Sequence, residues 1–134
     1  MSGPREPTYV QKLIDALSNR EPLTRVRAAW LLGKLRAAKA LDPLASAIDA
    51  QSDDPEFIAA AAEALGRIGD PTAVPVLIQL ARTSLLKARV TAVESLVEWR
   101  DRDDVRQCLE AALHDRNALV REAAARALHK SLPS

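Results

Sequence analysis

Four segments of the chain share one pattern of apolar and polar positions, and they align with each other without internal gaps. They are residues 24–34, 57–67, 88–98 and 120–130. Their matching leucines, Leu32, Leu65, Leu96 and Leu128, are 33, 31 and 32 residues apart. A near-constant period of this length is typical of arrays in which one pair of helices forms the repeating unit.

Each of these segments predicts an amphipathic helix, which we call an A helix. In the first A helix the apolar residues recur at helical spacing on one stripe, namely Val26, Ala29, Leu32 and Leu35. In the second, Glu63 and Arg67 lie outside the stripe, where an ion pair four residues apart is worth about 0.2–0.5 kcal/mol.

The stretches between the A helices predict a second set, the B helices, at residues 9–18, 40–49, 73–82 and 104–113. The boundary before the third B helix is the clearest. Gly69 suits a helix C-terminus there, Asp70 an N-cap and Pro71 the first helical position. The second B helix begins either near Lys39 or only at Asp42, and the sequence leaves both starts open.

Alternation of the two sets gives the order B, A, B, A, B, A, B, A. We therefore predict an all-α fold, an α–α superhelical solenoid of about four helix-pair units with half a repeat at each end. The repeat domain is expected to cover residues 6–131, between a flexible N-terminal tail at 1–5 and a C-terminal tail at 132–134.

Composition agrees with one water-soluble domain. Of the 134 residues 48% are hydrophobic, 28% are charged and only 3% are aromatic, so the core must consist mainly of Ala, Leu, Val and Ile. The 19 Lys and Arg residues nearly balance the 18 Asp and Glu residues, which gives no electrostatic reason to expect nucleic acid or a membrane surface. A single cysteine excludes an intrachain disulfide.

Residues 62–81, AEALGRIGDPTAVPVLIQLA, resemble the short HEAT-like repeat of phycobilin lyase subunits and of many bacterial scaffold proteins. Asp115 followed by Val120-Arg121 is similar to the Asp…Val-Arg element of that family, and Arg25 and Arg89 occupy the slot of Arg121. Ile58 occupies this slot in the second repeat, which argues against a continuous Asp–Arg ladder. The resemblance covers nearly the whole chain and implies a fold much more strongly than a function.

The residues that could carry chemistry form no catalytic pattern, so we expect neither an enzyme nor a cofactor. The family includes a di-iron hydroxylase with repeated His-Glu pairs, whereas His114 and His129 are followed by Asp and Lys. The acidic groups at 53–54 and 101–104 flank predicted helix starts, where Asp caps free N–H groups. Cys108 matches Leu44 and Leu77 and is expected in the core.

A candidate binding surface follows from the expectation that the B helices line the concave side. Its outward residues are Gln11, Asp15, Asp42, Ser46, Asp49, Gln79, Arg82, Arg106 and Glu110. The surface would be acidic near the first two B helices and mixed to basic near the last two. This fits a protein or peptide partner better than DNA, which needs a consistently basic stripe. A solvated face without a partner is an equal alternative.

A second candidate surface is the pair Trp30 and Leu31. Trp30 matches Glu63, Glu94 and Arg126, which are residues of a solvent-facing position. A large apolar pair at such a position is typical of an interface anchor. The alternative is that Tyr9 or the proline-containing N-terminal segment covers it. Trp99, in contrast, matches Leu35 and Ile68 and is predicted in the core.

The expected function is a non-catalytic protein–protein interaction scaffold, cytoplasmic and not bound to membranes, that uses the concave B-helix face or the Trp30 patch. The resemblance implies two alternatives, an accessory subunit of a phycobilin-lyase-like complex and a HEAT-like DNA-binding repair protein. Leu119 and Leu128 give the last A helix an apolar end, which predicts either self-association through this terminal helix or docking on a larger partner.

Overall fold

A computed structural model describes residues 8–51, 53–83 and 85–128 of the chain, and all regular structure in these ranges is helical. The B helices are α1 (Tyr9–Ala16), α3 (Leu41–Ala50), α5 (Val74–Leu80) and α7 (Asp103–Ala112). The A helices are α2 (Pro22–Lys34), α4 (Pro55–Ile68), α6 (Leu86–Ser95) and α8 (Ala118–Ala127). The α–α solenoid is therefore confirmed. The predicted domain limits at 6 and 131 and both tails lie outside the described residues.

The boundary between α4 and α5 follows the predicted signals. Gly69 ends α4 with a φ of 76°, the left-handed conformation in which glycine carries no steric penalty. The carboxylate of Asp70 then accepts a hydrogen bond from the N–H of Thr72 at 2.9 Å, and Pro71 opens a short 3-10 turn, Pro71–Ala73. Asp54 caps α4 in the same way, accepting from the N–H of Phe57 at 3.1 Å.

Two other helix starts differ from the predictions. A 3-10 turn, Ala38–Ala40, precedes α3, so this helix begins at Leu41, between the two starts that the sequence left open. At α7 the N-cap position belongs to Arg102, whose side chain forms no capping hydrogen bond. The neighbouring carboxylate of Asp104 instead accepts two hydrogen bonds from the Arg102 guanidinium, at 3.1 and 2.9 Å.

The core lies between a row of A helices and a row of B helices. Its fully buried leucines come from both rows: Leu32, Leu65, Leu96, Leu44, Leu77 and Leu109. Cys108 is buried at the register position of Leu44 and Leu77, as predicted, and burial raises the pKa of its thiol.

The A helices pack tightly against one another in series, whereas successive B helices touch far less. Small residues make this close approach feasible. A β-carbon added to Gly33 would lie 2.7 Å from Cα of Ala64, and one added to Gly66 would lie 2.8 Å from Cβ of Ser95. In a curved array, the row with the closer helix axes lies on the inside, so this packing favours the A row as the inner side, and its outer face is called the concave face below. The binding surface predicted on the B helices stays a prediction.

The matching arginines of three repeats hold the turn between a B helix and the next A helix. Each Nη1 donates to the carbonyl oxygen six residues earlier. Arg25 donates to Asn19 at 2.8 Å, Arg89 to Thr83 at 3.3 Å and Arg121 to Asp115 at 2.7 Å. The arginine of the family's Val-Arg element thus has a structural role in these three repeats, because it fixes the angle between the paired helices.

Two of these arginines also join neighbouring repeats. Arg89, which is only 6% exposed, donates from Nε and Nη2 to the carboxylate of Asp115, both at 3.1 Å. Arg25 reaches Asp54 at 3.6 Å. Buried Ile58 occupies the slot in the second repeat, so the ladder is interrupted there, as the sequence indicated.

Desolvation alone would raise the pKa of the Asp115 carboxyl. Hydrogen bonds from the N–H of Asn117 and from Arg89 outweigh this effect, and the pKa is lowered. The ionised form of Asp115 is therefore the one that the folded state favours.

The predicted apolar stripe of the first A helix is wrong at its last residue. Leu35 is exposed because it follows the end of α2, and at Arg36 the chain turns with a φ of 50°. Trp99, which matches Leu35 by register, is partly buried and packs against the core. The register thus gave the right environment for Trp99 but not for Leu35.

Candidate partner-binding surfaces

The concave face is formed by the A-helix side chains that point away from the B row. Trp30 is 48% exposed on α2, at the edge of a depression of about 280 Å³ that extends across α4 to α6. Ala59, Ala60 and Thr91 contribute small side chains to its lining. Leu31, the other half of the predicted patch, is partly buried against the core. Trp30 therefore provides the exposed apolar part of this patch.

Three ion pairs lie on the concave face from α4 onward. Lys87 and Glu56 lie 2.7 Å apart across α4 and α6, and Arg126 and Glu94 lie 3.8 Å apart across α6 and α8. The third pair is Arg67 and Glu63, at 3.1 Å within α4, as the sequence predicted. These exposed pairs contribute little to stability, but they neutralise this part of the face.

The α2 end of the concave face has a different character. Lys34 places its Nζ 4.9 Å from the centre of the Trp30 ring, which is cation–π geometry. Arg27 lines the same depression as Trp30, and within the described ranges neither Arg27 nor Lys34 forms an ion pair. The face therefore combines an exposed indole with two cations whose charge is not neutralised by a carboxylate.

Of the two segments predicted to cover Trp30, the structure describes only Tyr9. Tyr9 is itself an exposed residue and does not belong to the lining of the Trp30 depression. The proline-containing segment of residues 1–7 lies outside the described residues.

The residues predicted to bind on the B helices all lie on the convex row, and all of them are exposed. Ser46, Asp49 and Gln79 come together in a depression of about 460 Å³ between α3 and α5, where Ile48 and Leu80 add apolar surface. Arg82 lies in an adjoining depression that also contains Asp49 and Gln79. The remaining predicted residues lie outside both depressions: Gln11, Asp15, Asp42, Arg106 and Glu110.

Within the described ranges, His, Cys, Asp and Glu form no cluster of three that could hold a metal ion. Asp101 lies 3.7 Å from Arg106, and a hydrogen bond from Arg102 is the main cause that lowers the pKa of Asp104. His114 is exposed just beyond α7, and His129 lies outside the described residues.

Sequence reasoning missed the two glycines that set the shape of the concave face. Gly33 and Gly66 lie inside α2 and α4, near the C-terminal end of each helix. The sequence did contain a signal for this packing. Gly33 meets Ala64 of the next A helix, and Gly66 meets Ser95 of the one after. In each case the contacted small residue lies two residues before the one that aligns with the glycine. Small residues at both positions indicate close helix packing.

Comparison with protein families decides the class of this fold. The sequence profile described as HEAT repeats matches residues 10–87, more than half of the chain. The chain is a HEAT repeat protein. HEAT repeats generally mediate protein–protein interaction, and extended surfaces such as the concave A row are what solenoids use for it. A search of curated proteins found no match to this HEAT repeat protein.

None of the described helices of this HEAT repeat protein combines the length and the apolar character that crossing a membrane requires.

Proposed function

We propose that this HEAT repeat protein is a non-catalytic scaffold that binds another protein on its concave face, with Trp30 as the anchor. The observation that supports it is the 48% exposed indole beside a depression that three A helices share. Tryptophans are enriched among the few residues that dominate binding energy at interfaces. The residues that align with Trp30 in α4 and α6 are Glu63 and Glu94, so packing of the A helices does not require an aromatic side chain at this position.

The charges around Trp30 define the partner. Arg27 and Lys34 flank the indole, while the cations farther along the face are neutralised by Glu56, Glu63 and Glu94. A protein segment that places an apolar side chain in the depression and a carboxylate next to it would be complementary. Two cations do not form the long basic stripe that DNA binding needs, which disfavours the DNA-repair alternative.

The convex depression between α3 and α5 is the second candidate surface for the same function. Its support is that Ser46, Asp49 and Gln79 surround apolar surface from Ile48 and Leu80. An extended peptide would fit between two helices that are set apart. The concave face is preferred because it has a large exposed anchor, which the convex depression lacks.

Affinity capture of the full chain from a lysate of its source organism tests the proposal, with nuclease treatment and identification by mass spectrometry. We compare the wild type with Trp30→Glu and with Asp42→Lys/Asp49→Lys. Glutamate is the residue of α4 and α6 at this position, so Trp30→Glu should fold normally, which circular dichroism and thermal melting check.

A stoichiometric, nuclease-resistant protein that is lost with Trp30→Glu and retained by the double variant is the expected result. Loss with the double variant alone would move the site to the convex depression. Capture that nuclease abolishes, or a bound tetrapyrrole seen by its visible absorbance, would replace the proposal by one of the two alternatives from the family resemblance.

A further inference from the structure

The two ends of the A row carry leucine at a register position that is charged inside the row. The position is Leu23 in α2, Glu56 in α4, Lys87 in α6 and Leu119 in α8. Inside the row, Glu56 and Lys87 meet across neighbouring helices at 2.7 Å. Leu23 and Leu119 are 60% and 55% exposed. Since this position meets its own counterpart in the next A helix, the two leucines would meet if one end of the array docked on the other.

A pair of opposite charges lies beside these leucines. Glu122 in α8 aligns with Val26 in α2, and Val26 faces the A helix that follows it. Arg27 in α2 aligns with Ala60 in α4, and Ala60 faces the A helix that precedes it. Val26 and Ala60 line one depression across the boundary between α2 and α4. Glu122 and Arg27 are both exposed, and end-to-end docking would bring them together as Val26 and Ala60 are brought together inside the array.

The end of the array at α8 buries its apolar residues incompletely. Leu128 is only partly buried, although its register partners Leu65 and Leu96 are fully buried. Ala125 is likewise partly exposed, whereas Val93 at the same position is fully buried. Among the described residues, the buried partners belong to A helices that are followed by another helix pair. In this fold an A helix is followed by a B helix such as α1.

We propose that a second copy of this chain docks head-to-tail, with α8 of one copy against α1 and α2 of the next. Leu119 would pack on Leu23 of the second copy, and Glu122 would pair with Arg27 of the second copy. Polar capping of a solenoid explains a charged residue at each end, but not a leucine more than half exposed at each end. Contacts of this kind are heterologous, so they propagate into a chain of copies unless the rotation closes a ring.

Sedimentation velocity of the full chain over a wide range of concentrations tests the assembly through a charge swap. The wild type is expected to grow in size with concentration. Glu122→Arg and Arg27→Glu each place like charges at the junction, which should weaken assembly by at least about tenfold. The double variant Arg27→Glu/Glu122→Arg restores the opposite charges and should restore assembly. A wild type that stays monomeric, or a double variant no better than the single ones, would overturn the proposal.

A disulfide tests the register directly. In Leu23→Cys/Leu119→Cys, mild oxidation should produce a ladder of covalent multimers on a non-reducing gel, whereas Leu23→Cys alone should stop at dimers. An assembled protein that gives no ladder would show that the junction is not the one proposed. Glu122→Arg leaves Trp30, Arg27 and Lys34 unchanged, so it should weaken assembly and still capture the partner. Failure of partner binding and failure of assembly therefore remain distinguishable.

Discussion

Gly33 of α2 lies so close to Ala64 of α4 that a β-carbon on Gly33 would be 2.7 Å from the Ala64 Cα atom and 3.0 Å from its Cβ. The atom at risk is backbone, which cannot move aside like the tip of a flexible side chain. The same relation recurs one repeat later between Gly66 and Ser95, where the nearest atom is the Ser95 Cβ at 2.8 Å. These two glycines therefore control the spacing of the A row.

Gly33→Ala should destabilise the protein by about 1–3 kcal/mol, because the added methyl group forces α2 away from α4. Alanine is otherwise favoured over glycine within a helix by about 1 kcal/mol, so the sign of the effect is informative. Urea denaturation followed by circular dichroism measures it. A Gly33→Ala protein as stable as the wild type would contradict the close packing. Ser95→Gly should partly rescue the corresponding Gly66→Ala variant.

The sequence predicted the helices of this solenoid well but not the side on which it curves. Leucines such as Leu32 and Leu65 identify helices, because burial imposes the helical period on them. Curvature depends instead on how closely neighbouring repeats approach in each row. That spacing is set by pairs such as Gly33 with Ala64, which come together only in three dimensions. A period within one helix does not reveal it, so the sequence pattern alone could not assign the concave face to either row.

Arg36 and Gly69 occupy equivalent positions after α2 and α4, and both have a positive φ, 50° and 76°. Glycine adopts this conformation freely, whereas a residue with a β-carbon pays about 1–2 kcal/mol for it. Arg36→Gly is therefore expected to stabilise the protein by about 0.5–1 kcal/mol, after the larger backbone entropy of glycine in the unfolded chain is allowed for. Thermal melting measures the gain.

Gly69→Ala is the matched control for Arg36→Gly and should lower the stability by about 1 kcal/mol, since it introduces the strain that the other variant removes. If both variants changed the melting temperature in the same direction, backbone strain would not be the cause.

The ion pair between Arg89 and Asp115 should be worth far more than the shorter one between Lys87 and Glu56. The first is almost entirely buried, with distances of 3.1 Å, while the second is exposed at 2.7 Å. Asp115→Asn keeps the side-chain shape but removes the buried carboxylate charge that accepts two hydrogen bonds from Arg89, which should cost about 3 kcal/mol. Glu56→Gln should cost less than about 1 kcal/mol. Equal losses in urea denaturation would show that distance matters more than burial here.

The interrupted ladder shows where sequence reasoning succeeds. Arg25, Arg89 and Ile58 share one slot, so the missing pair in the second repeat could be foreseen from residue identity alone. The exposure of Trp30 was foreseen in the same way, because Glu63 and Glu94 occupy its position. Which helices surround the indole depends on the row spacing, and the sequence did not indicate that.

The lowered pKa of Asp115 makes stability depend on pH in one direction. Because the unfolded chain takes up a proton on this carboxyl at a higher pH than the folded chain does, the stabilisation is complete above about pH 5 and is lost as the pH falls below about 4. Urea denaturation from pH 6 down to pH 3 should therefore show a steeper loss for the wild type than for Asp115→Asn, although the variant starts from a lower value. The two curves should converge at the acid end, since protonation removes from the wild type the charge that the variant already lacks. Parallel curves would mean that Asp115 has the same proton affinity in both states and that its hydrogen bonds with Arg89 and Asn117 do not favour the ionised form.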